Sequence, residues 1–271
     1  MDSMTRLFKR MGIEAPEKPM SNEEFWQFTV DCYNESEGEL DKEDGIQCII
    51  CKNKGYSQYI EGNYTHYRKC KCMERRENYT SAKKSGLGKY LKKTLDDYEA
   101  EEEWRKKCKR TVEAFLERHS HDDAWFMACG QNGSGKTLLG SIIANTLLTK
   151  KERAVTYIVW TDFIGEVKRD MMGDKTNEVS DRMKEIKNTE ILFLDEVFKD
   201  YNATDRKYLA EILNYRYTND KKTIITSEKL LNELIDIDEA TFGRAVEKCE
   251  GFMINIPRDR KKDWRLRGLK V

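Results

Sequence analysis

Gly130-Gln-Asn-Gly-Ser-Gly-Lys136-Thr137 decides the fold of this chain. It satisfies G-x-x-x-x-G-K-[ST] and lies between an apolar run, Ala124-Trp-Phe-Met-Ala-Cys129, and a helical pattern from Thr137 to Leu148. Strand, glycine-rich turn and helix in that order predict a nucleotide-binding P-loop. Gly130, Gln131, Asn132, Gly133, Ser134 and Gly135 would turn backbone N–H groups toward phosphate oxygens, and the helix N-terminus would add its partial positive charge. Lys136 would reach the β/γ-phosphates, Thr137 would hold Mg²⁺ through its hydroxyl, and Leu138 completes the contact set.

Outward from this loop, apolar runs and helical patterns alternate. Strands are expected at 124–129, 154–159, 190–195, 222–227 and 251–256, with helices at 136–149, 161–172, 178–187, 203–218, 229–235 and 239–248. Alternation of this kind predicts an α/β fold in which helices cover both faces of a five-stranded parallel sheet. Ile191-Leu-Phe-Leu-Asp195-Glu196 is the second nucleotide signature, delivering two carboxylates to a strand's carboxyl end. Asp195 suits Mg²⁺, and Glu196 is placed to polarise a water in line with the γ-phosphate. The strand at 154–159 falls between the two motifs in sequence and points to the additional-strand class of P-loop ATPases. No Asn-Lys-x-Asp run for guanine is present, so the nucleotide is expected to be ATP or ADP.

The N-terminal third differs in character. A short amphipathic piece around Leu7, Phe8 and Met11 ends near Pro16 and Pro19, and Ser21-Asn-Glu-Glu24 has capping-box form ahead of a helix. Asn34 to Gly45 reads as an acidic loop. Then come Cys48-Ile-Ile-Cys51, eighteen residues, and Cys70-Lys-Cys72. Two such pairs can bring four thiolates to one structural, tetrahedral Zn²⁺, with His66 as an alternative to Cys70 or Cys72. The module is too polar to fold on apolar burial alone, so the metal would supply the folding free energy. The remaining cysteines, Cys32, Cys108, Cys129 and Cys249, sit in apolar or amphipathic patterns and read as small core residues. Ser81 to Tyr98 reads as the connection to the second domain, giving domains at 1–84 and 85–271.

Charges balance at 49 basic and 49 acidic residues, so any nucleic-acid surface must be local. Two stretches qualify. Arg258 to Val271 carries seven basic and two acidic residues with Trp264, and Trp160 to Arg169 interleaves aromatic and basic residues. A solvated tail and a core tryptophan are the alternatives. Apolar runs reach only strand length, which predicts no membrane contact and a soluble, intracellular protein.

Residues 85–271 resemble AAA+ helicase loaders of the DnaC/DnaI type, in the form encoded by phages and prophages of Gram-positive bacteria. The resemblance rests on motifs in shared order: Ser85-Gly-Leu87, Leu95-Asp-Asp-Tyr98, the P-loop, Leu192-Phe-Leu-Asp-Glu196, Glu211-Ile-Leu-Asn-Tyr-Arg-Tyr217, Thr223-Ile-Ile-Thr-Ser-Glu228, Ile235-Asp-Ile-Asp-Glu239 with Arg244, and Asp263-Trp-Arg-Leu266. It implies an AAA+ core that hydrolyses ATP to ADP and phosphate, stimulated by assembly or by single-stranded DNA. It also implies self-assembly into an ATP-dependent oligomer, contact with a hexameric replicative helicase of the DnaB family, and placement of that ring on single-stranded DNA. The N-terminal zinc region would be the helicase-binding domain. Arg244 matches the arginine finger that reaches a neighbouring subunit's γ-phosphate. The wider family usually has asparagine where this chain has Glu228, so Ser227 is the expected polar sensor. Arg265 stands near a sensor 2 position, but the chain past the last strand is too short for a full helical lid. A transposition helper ATPase of the IstB type, or a nucleotide-sensing helicase adaptor without significant hydrolysis, would share much of this pattern.

Overall fold

Ser21 starts the first element as its capping box predicts. Its hydroxyl accepts from Glu24 N–H at 3.2 Å and Glu24 Oε2 accepts from Ser21 N–H at 2.8 Å, ahead of α1 (Asn22–Glu35). The structure, a computed structural model, describes residues 20–62, 64–150, 153–171, 178–199 and 201–267. The amphipathic piece at Leu7 to Met11, Pro16, Pro19 and the last four tail residues lie outside that set.

The described chain divides into two compact units, with the boundary between Glu74 and Arg75. In the first, part of the acidic stretch read as loop forms a short helix, α2 (Leu40–Asp44), closed by Gly45 at φ +72°. Five residues offer too few periodic positions to show in a sequence. The cysteine region likewise holds an antiparallel hairpin, β1 (Tyr56–Glu61) and β2 (Tyr64–Lys69), where the sequence predicts no strand. Its partly exposed, polar strands hid it, because they lack an alternating apolar face. Asn34 ties α1 to β1: its amide donates to Gln58 O and accepts from Gln58 N–H, both at 2.9 Å. The boundary itself falls in α3 (Cys72–Lys84).

In the second unit, α4 (Glu103–Arg118) precedes β3 (Phe126–Gly130), α5 (Lys136–Lys150), β4 (Val155–Val159) and α6 (Trp160–Met171). There follow α7 (Glu178–Asn188), β5 (Ile191–Asp195), α8 (Ala203–Thr218), β6 (Lys222–Ser227), α9 (Leu231–Ile237), α10 (Glu239–Lys248) and β7 (Met253–Ile256). The five strands are parallel in the order β4-β5-β6-β3-β7. This is the five-stranded α/β sheet of AAA+ proteins. The strand after the P-loop helix separates the two nucleotide motifs only in sequence, since β4 lies at the sheet edge. The strand interposed in space is β6, which pairs with both β3 and β5.

β3, β5 and β6 are buried at every residue, so both sheet faces are covered. Period-two alternation divides the work. Trp125, Met127, Cys129, Leu192, Leu194 and Ile225 join one core with Phe163, Val167, Ile186, Leu209 and Phe242 from the helices. On the alternate positions, Phe126 meets Phe115 of α4 with ring centroids 5.3 Å apart, and Phe193 lies under Gly140 of α5. Each large aliphatic side chain buried this way stabilises the fold by about 1.5–3 kcal/mol. Trp160 belongs to the first of these cores and is 1% exposed, with Phe163 beside it. The Trp160 to Arg169 stretch therefore presents no tryptophan face to nucleic acid, because helical spacing turns its aromatics inward.

Candidate functional site

β3 ends in Gly130, whose φ of +100° and contact with the Ile256 carbonyl leave no room for a Cβ. The loop then folds on itself. Lys136 Nζ donates to Gly130 O at 2.8 Å and Gln131 O at 2.7 Å, and Ser134 Oγ donates to Gln131 O at 2.7 Å. The Asn132 carbonyl accepts from the Gln131 side-chain amide at 3.1 Å. Burial lowers the Lys136 ammonium pKa, while the carboxylates of Glu228 and Asp195 pull it the other way. Gly133 and Gly135 both take positive φ, at +67° and +91°. β7 and the chain beyond it pack on this loop: Gln131 N–H donates to Ile256 O at the end of β7 at 3.0 Å, and Trp264 N–H to Gly133 O at 3.0 Å. A Cβ on Gly133 would collide with the Asp263 carboxylate.

Opposite the loop, Asp195 at the end of β5 is gripped by three hydroxyls. Thr137 Oγ1 donates to its Oδ1 at 2.9 Å, Tyr157 OH donates to Oδ2 at 2.8 Å, and Thr226 Oγ1 also donates to Oδ1. Burial, and then the Asp195 carboxylate, raise the Tyr157 phenol well above its ordinary value, keeping it a donor. Glu196 follows in left-handed backbone, φ +57°, rare for a residue with a Cβ. Its N–H donates to Thr226 Oγ1 at 3.1 Å, and its carboxylate pairs with Lys199 at 3.1 Å.

Gly133, Gly135, Lys136, Thr137, Leu138, Asp195, Glu196 and Ser227 all line one cavity of about 430 Å³ at the carboxyl ends of the strands. Such a cleft is where ligands bind in parallel α/β sheets. Glu228 and Arg265 line it too. Gly130, Gln131, Asn132 and Ser134 shape the loop behind it through the bonds above. Ser227 is fully buried, its hydroxyl donating to Val197 O at 2.6 Å and accepting from Lys229 N–H at 3.2 Å, while neighbouring Thr226 reaches Asp195. Arg244 lies outside the lining, on α10, where it donates to Asn214 Oδ1 at 2.5 Å. The sequence reading missed Tyr157 and the contacts of Thr226. Nothing local marks a tyrosine on the neighbouring strand β4 as an Asp195 partner; only the pairing of β4 with β5 brings it there. Residues that would hold Mg²⁺ are Thr137 and Asp195, and that ion would screen phosphate charge.

In the first unit, the Sγ atoms of Cys48, Cys51, Cys70 and Cys72 all lie within 4.8 Å of one another. Cys48 and Cys70 are 3.7 Å apart and Cys51 and Cys72 3.5 Å. Four sulfurs at a zinc–sulfur distance of about 2.3 Å form a tetrahedron with edges of about 3.8 Å, so the cluster fits that ion. His66 is outside the cluster, its ring against Tyr59 across the hairpin. Burial pushes the Cys51 thiol up, but hydrogen bonds from the Gly55 amide and the neighbouring thiols outweigh it and bring it to about 7. Among the described residues of this unit, the buried apolar side chains are Val30, Ile46, Cys51 and Cys70.

A family model described as the bacterial DnaA ATPase domain matches residues 110–246, just over half of the chain. The uncharacterized protein YqaM of Bacillus subtilis (strain 168) is 29% identical over 216 residues, covering 72% of this chain; the match spans 65% of YqaM, slightly under two thirds of its length. The phage-like element PBSX protein XkdC of the same organism is 24% identical over 235 residues, covering 77% of this chain and 82% of XkdC. Among solved structures, DnaI superposes with a TM-score of 0.50 at 22% identity, covering 63% of this chain and 92% of DnaI. At that identity the likeness is one of fold.

Proposed function

This chain belongs to the family of the bacterial DnaA ATPase domain, and from that premise we propose that it is an ATP-dependent loader for a hexameric replicative helicase of the DnaB family. It binds ATP with Mg²⁺ at Gly130 to Thr137, hydrolyses it to ADP and phosphate, and uses the cycle to help place the helicase ring on single-stranded DNA. The observation that carries the ATPase part is the meeting of Lys136, Thr137, Asp195 and Glu196 along one cavity. Lys136, now bonded to loop carbonyls, would exchange them for phosphate oxygens. Asp195, oriented by Thr137, Thr226 and Tyr157, would help hold the cation. Glu196 would leave Lys199 to accept a proton from the attacking water. The tetra-cysteine unit supports the loader part, as a zinc-stabilised helicase-binding domain ahead of the ATPase unit. XkdC is a protein of the phage-like element PBSX, which supports a phage or prophage setting for this chain. Among the described residues no helix is long and apolar enough to cross a membrane, and the proposed site of action is the bacterial cytoplasm.

Lys136→Ala is expected to weaken ATP binding about 10–100-fold, as follows from losing a charge-assisted hydrogen bond worth about 1.5–3 kcal/mol; a fluorescent-nucleotide titration reads this. Arg244 on the outer surface of α10 would complete the site of a neighbouring subunit in an ATP-dependent oligomer. Arg244→Ala should keep ATP binding yet lose assembly-stimulated hydrolysis by about 10³-fold or more. The loader reading itself is tested by co-purification: the full chain should retain a hexameric replicative helicase from host cells. Retention of a transposase instead, or helicase binding without turnover in the presence of single-stranded DNA, would reject it.

A further inference from the structure

Among the described residues, three consecutive cations of the C-terminal segment have no carboxylate to answer them. Arg258 is bound by Glu233 at 2.8 Å, and Arg267 by Glu99 at 3.2 Å and Glu101 at 2.6 Å. Arg260, Lys261 and Lys262 form no ion pair among the described residues, although 36% of the chain is charged with both signs equal. Their backbone is nonetheless held. They form a 3-10 turn, Arg260–Lys262, in which Asp259 Oδ1 accepts from Lys261 N–H at 2.9 Å, and Asp259 N–H donates to Gln131 Oε1 at 2.8 Å.

Between this segment and the first turn of α4 lies a cavity of about 610 Å³, lined by those three cations with Trp104, Arg105 and Trp264. Arg105, only 4% exposed, is packed between aromatic rings, 4.3 Å from the centroids of both Tyr98 and Trp264. Arg267 covers Trp264 from a distance of 4.0 Å. The rim carboxylates are engaged: Asp263 Oδ1 accepts from Arg265 N–H at 3.0 Å, and Glu102 lies 4.0 Å from Arg105 Nε. Trp264 is thus a fixed wall, while Trp104 is partly exposed, with Arg105 5.3 Å from its ring.

We propose that this cavity is a binding site for single-stranded DNA, in which Arg260, Lys261 and Lys262 take successive phosphates and Trp104 stacks a base. The inference rests on the DNA-binding part of the reading above and gives it a location. A row of unanswered cations suits a polyanion better than a lone phosphate, and a stacking ring beside it needs an unpaired base. The site also has a route to the nucleotide. Arg105 and Trp264 line both cavities, and Trp264 N–H holds Gly133 O, so strand binding would stiffen the wall that the P-loop shares.

The test uses the full chain with Mg-ATP and a fluorescein-labelled dT15 oligonucleotide, read by anisotropy against salt. Each phosphate contact contributes about 0.7 to the logarithmic salt slope on single strands, so Arg260→Ser/Lys261→Ser/Lys262→Ser should reduce the slope by about 2. The variant should bind a fluorescent ATP analogue as the parent does, which reports its folding. In parallel, dT15 carrying 5-iodouracil should photocrosslink to Trp104, and Trp104→Ala should remove that crosslink. A parent protein that binds dT15 with the triple variant's slope unchanged, and crosslinks confined to other residues, overturns this site and leaves the loader reading standing. A parent protein that retains its helicase but binds no dT15 overturns the site and the DNA-binding part of the reading together.

Discussion

Glu196→Gln is expected to lower ATP turnover by about 10²–10⁴-fold while leaving ATP bound, the span that a positioned general base contributes. The substitution is nearly isosteric, so the backbone that presents the side chain should survive. That backbone is over-determined: φ is +57°, the Glu196 N–H is held by Thr226 Oγ1, and Val197 N–H donates to Thr226 O at 2.9 Å. A glutamine amide still accepts from Lys199, as Glu196 Oε2 does now at 3.1 Å, but it cannot take a proton from water. Steady-state phosphate release measures the loss, and equilibrium titration with a fluorescent ATP analogue measures the retained binding. Equal turnover by variant and parent would remove Glu196 from the base role. Loss of binding along with turnover would show instead that the strained turn had collapsed.

Removing the metal from the cysteine cluster should unfold the first unit. Its buried apolar set among the described residues is Val30, Ile46, Cys51 and Cys70, and two of those four are themselves thiols of the cluster. So small a core does not offset the conformational entropy of the segment. A structural zinc at four thiolates supplies an apparent folding free energy of about 10–16 kcal/mol at neutral pH, which is large enough to decide the matter. Metal analysis is expected to return about one zinc per chain, as four ligands at one tetrahedral site require. A strong chelator, or Cys51→Ser, should abolish the thermal transition of this unit and expose the Asn34–Gln58 amides to hydrogen exchange. The sheet core of the second unit should keep its own transition. Metal-free protein with those amides still protected would sink the zinc assignment.

Several features were legible because each depends on residues close together in the chain. The P-loop combines glycines that need positive φ, a lysine and a threonine within eight positions. Asp195 and Glu196 end a wholly apolar run, and the capping box at Ser21 spans four residues. The cysteine pairs announce a cluster because spacing alone limits where their thiols can meet. Local signals are weak elsewhere: α2 is too short to be periodic, and the hairpin between the cysteine pairs is too polar to alternate.

The order and type of the sheet's strands and helices, the glycine-rich loop, the paired carboxylates and the two cysteine pairs are all legible in the sequence. Which strand separates β3 from β5, and which tyrosine and threonine share Asp195, came from the packed fold. It also decided that the segment after β7 returns to Gly133, bringing Arg260 to Trp264 beside Trp104 and Arg105. The reason is the same in each case. Those contacts join residues 31 to 159 positions apart in the chain, from Thr226 with Asp195 to Trp264 with Arg105, and they are selected by strand order and by shape between packed surfaces. No periodicity or spacing within a single segment encodes that choice.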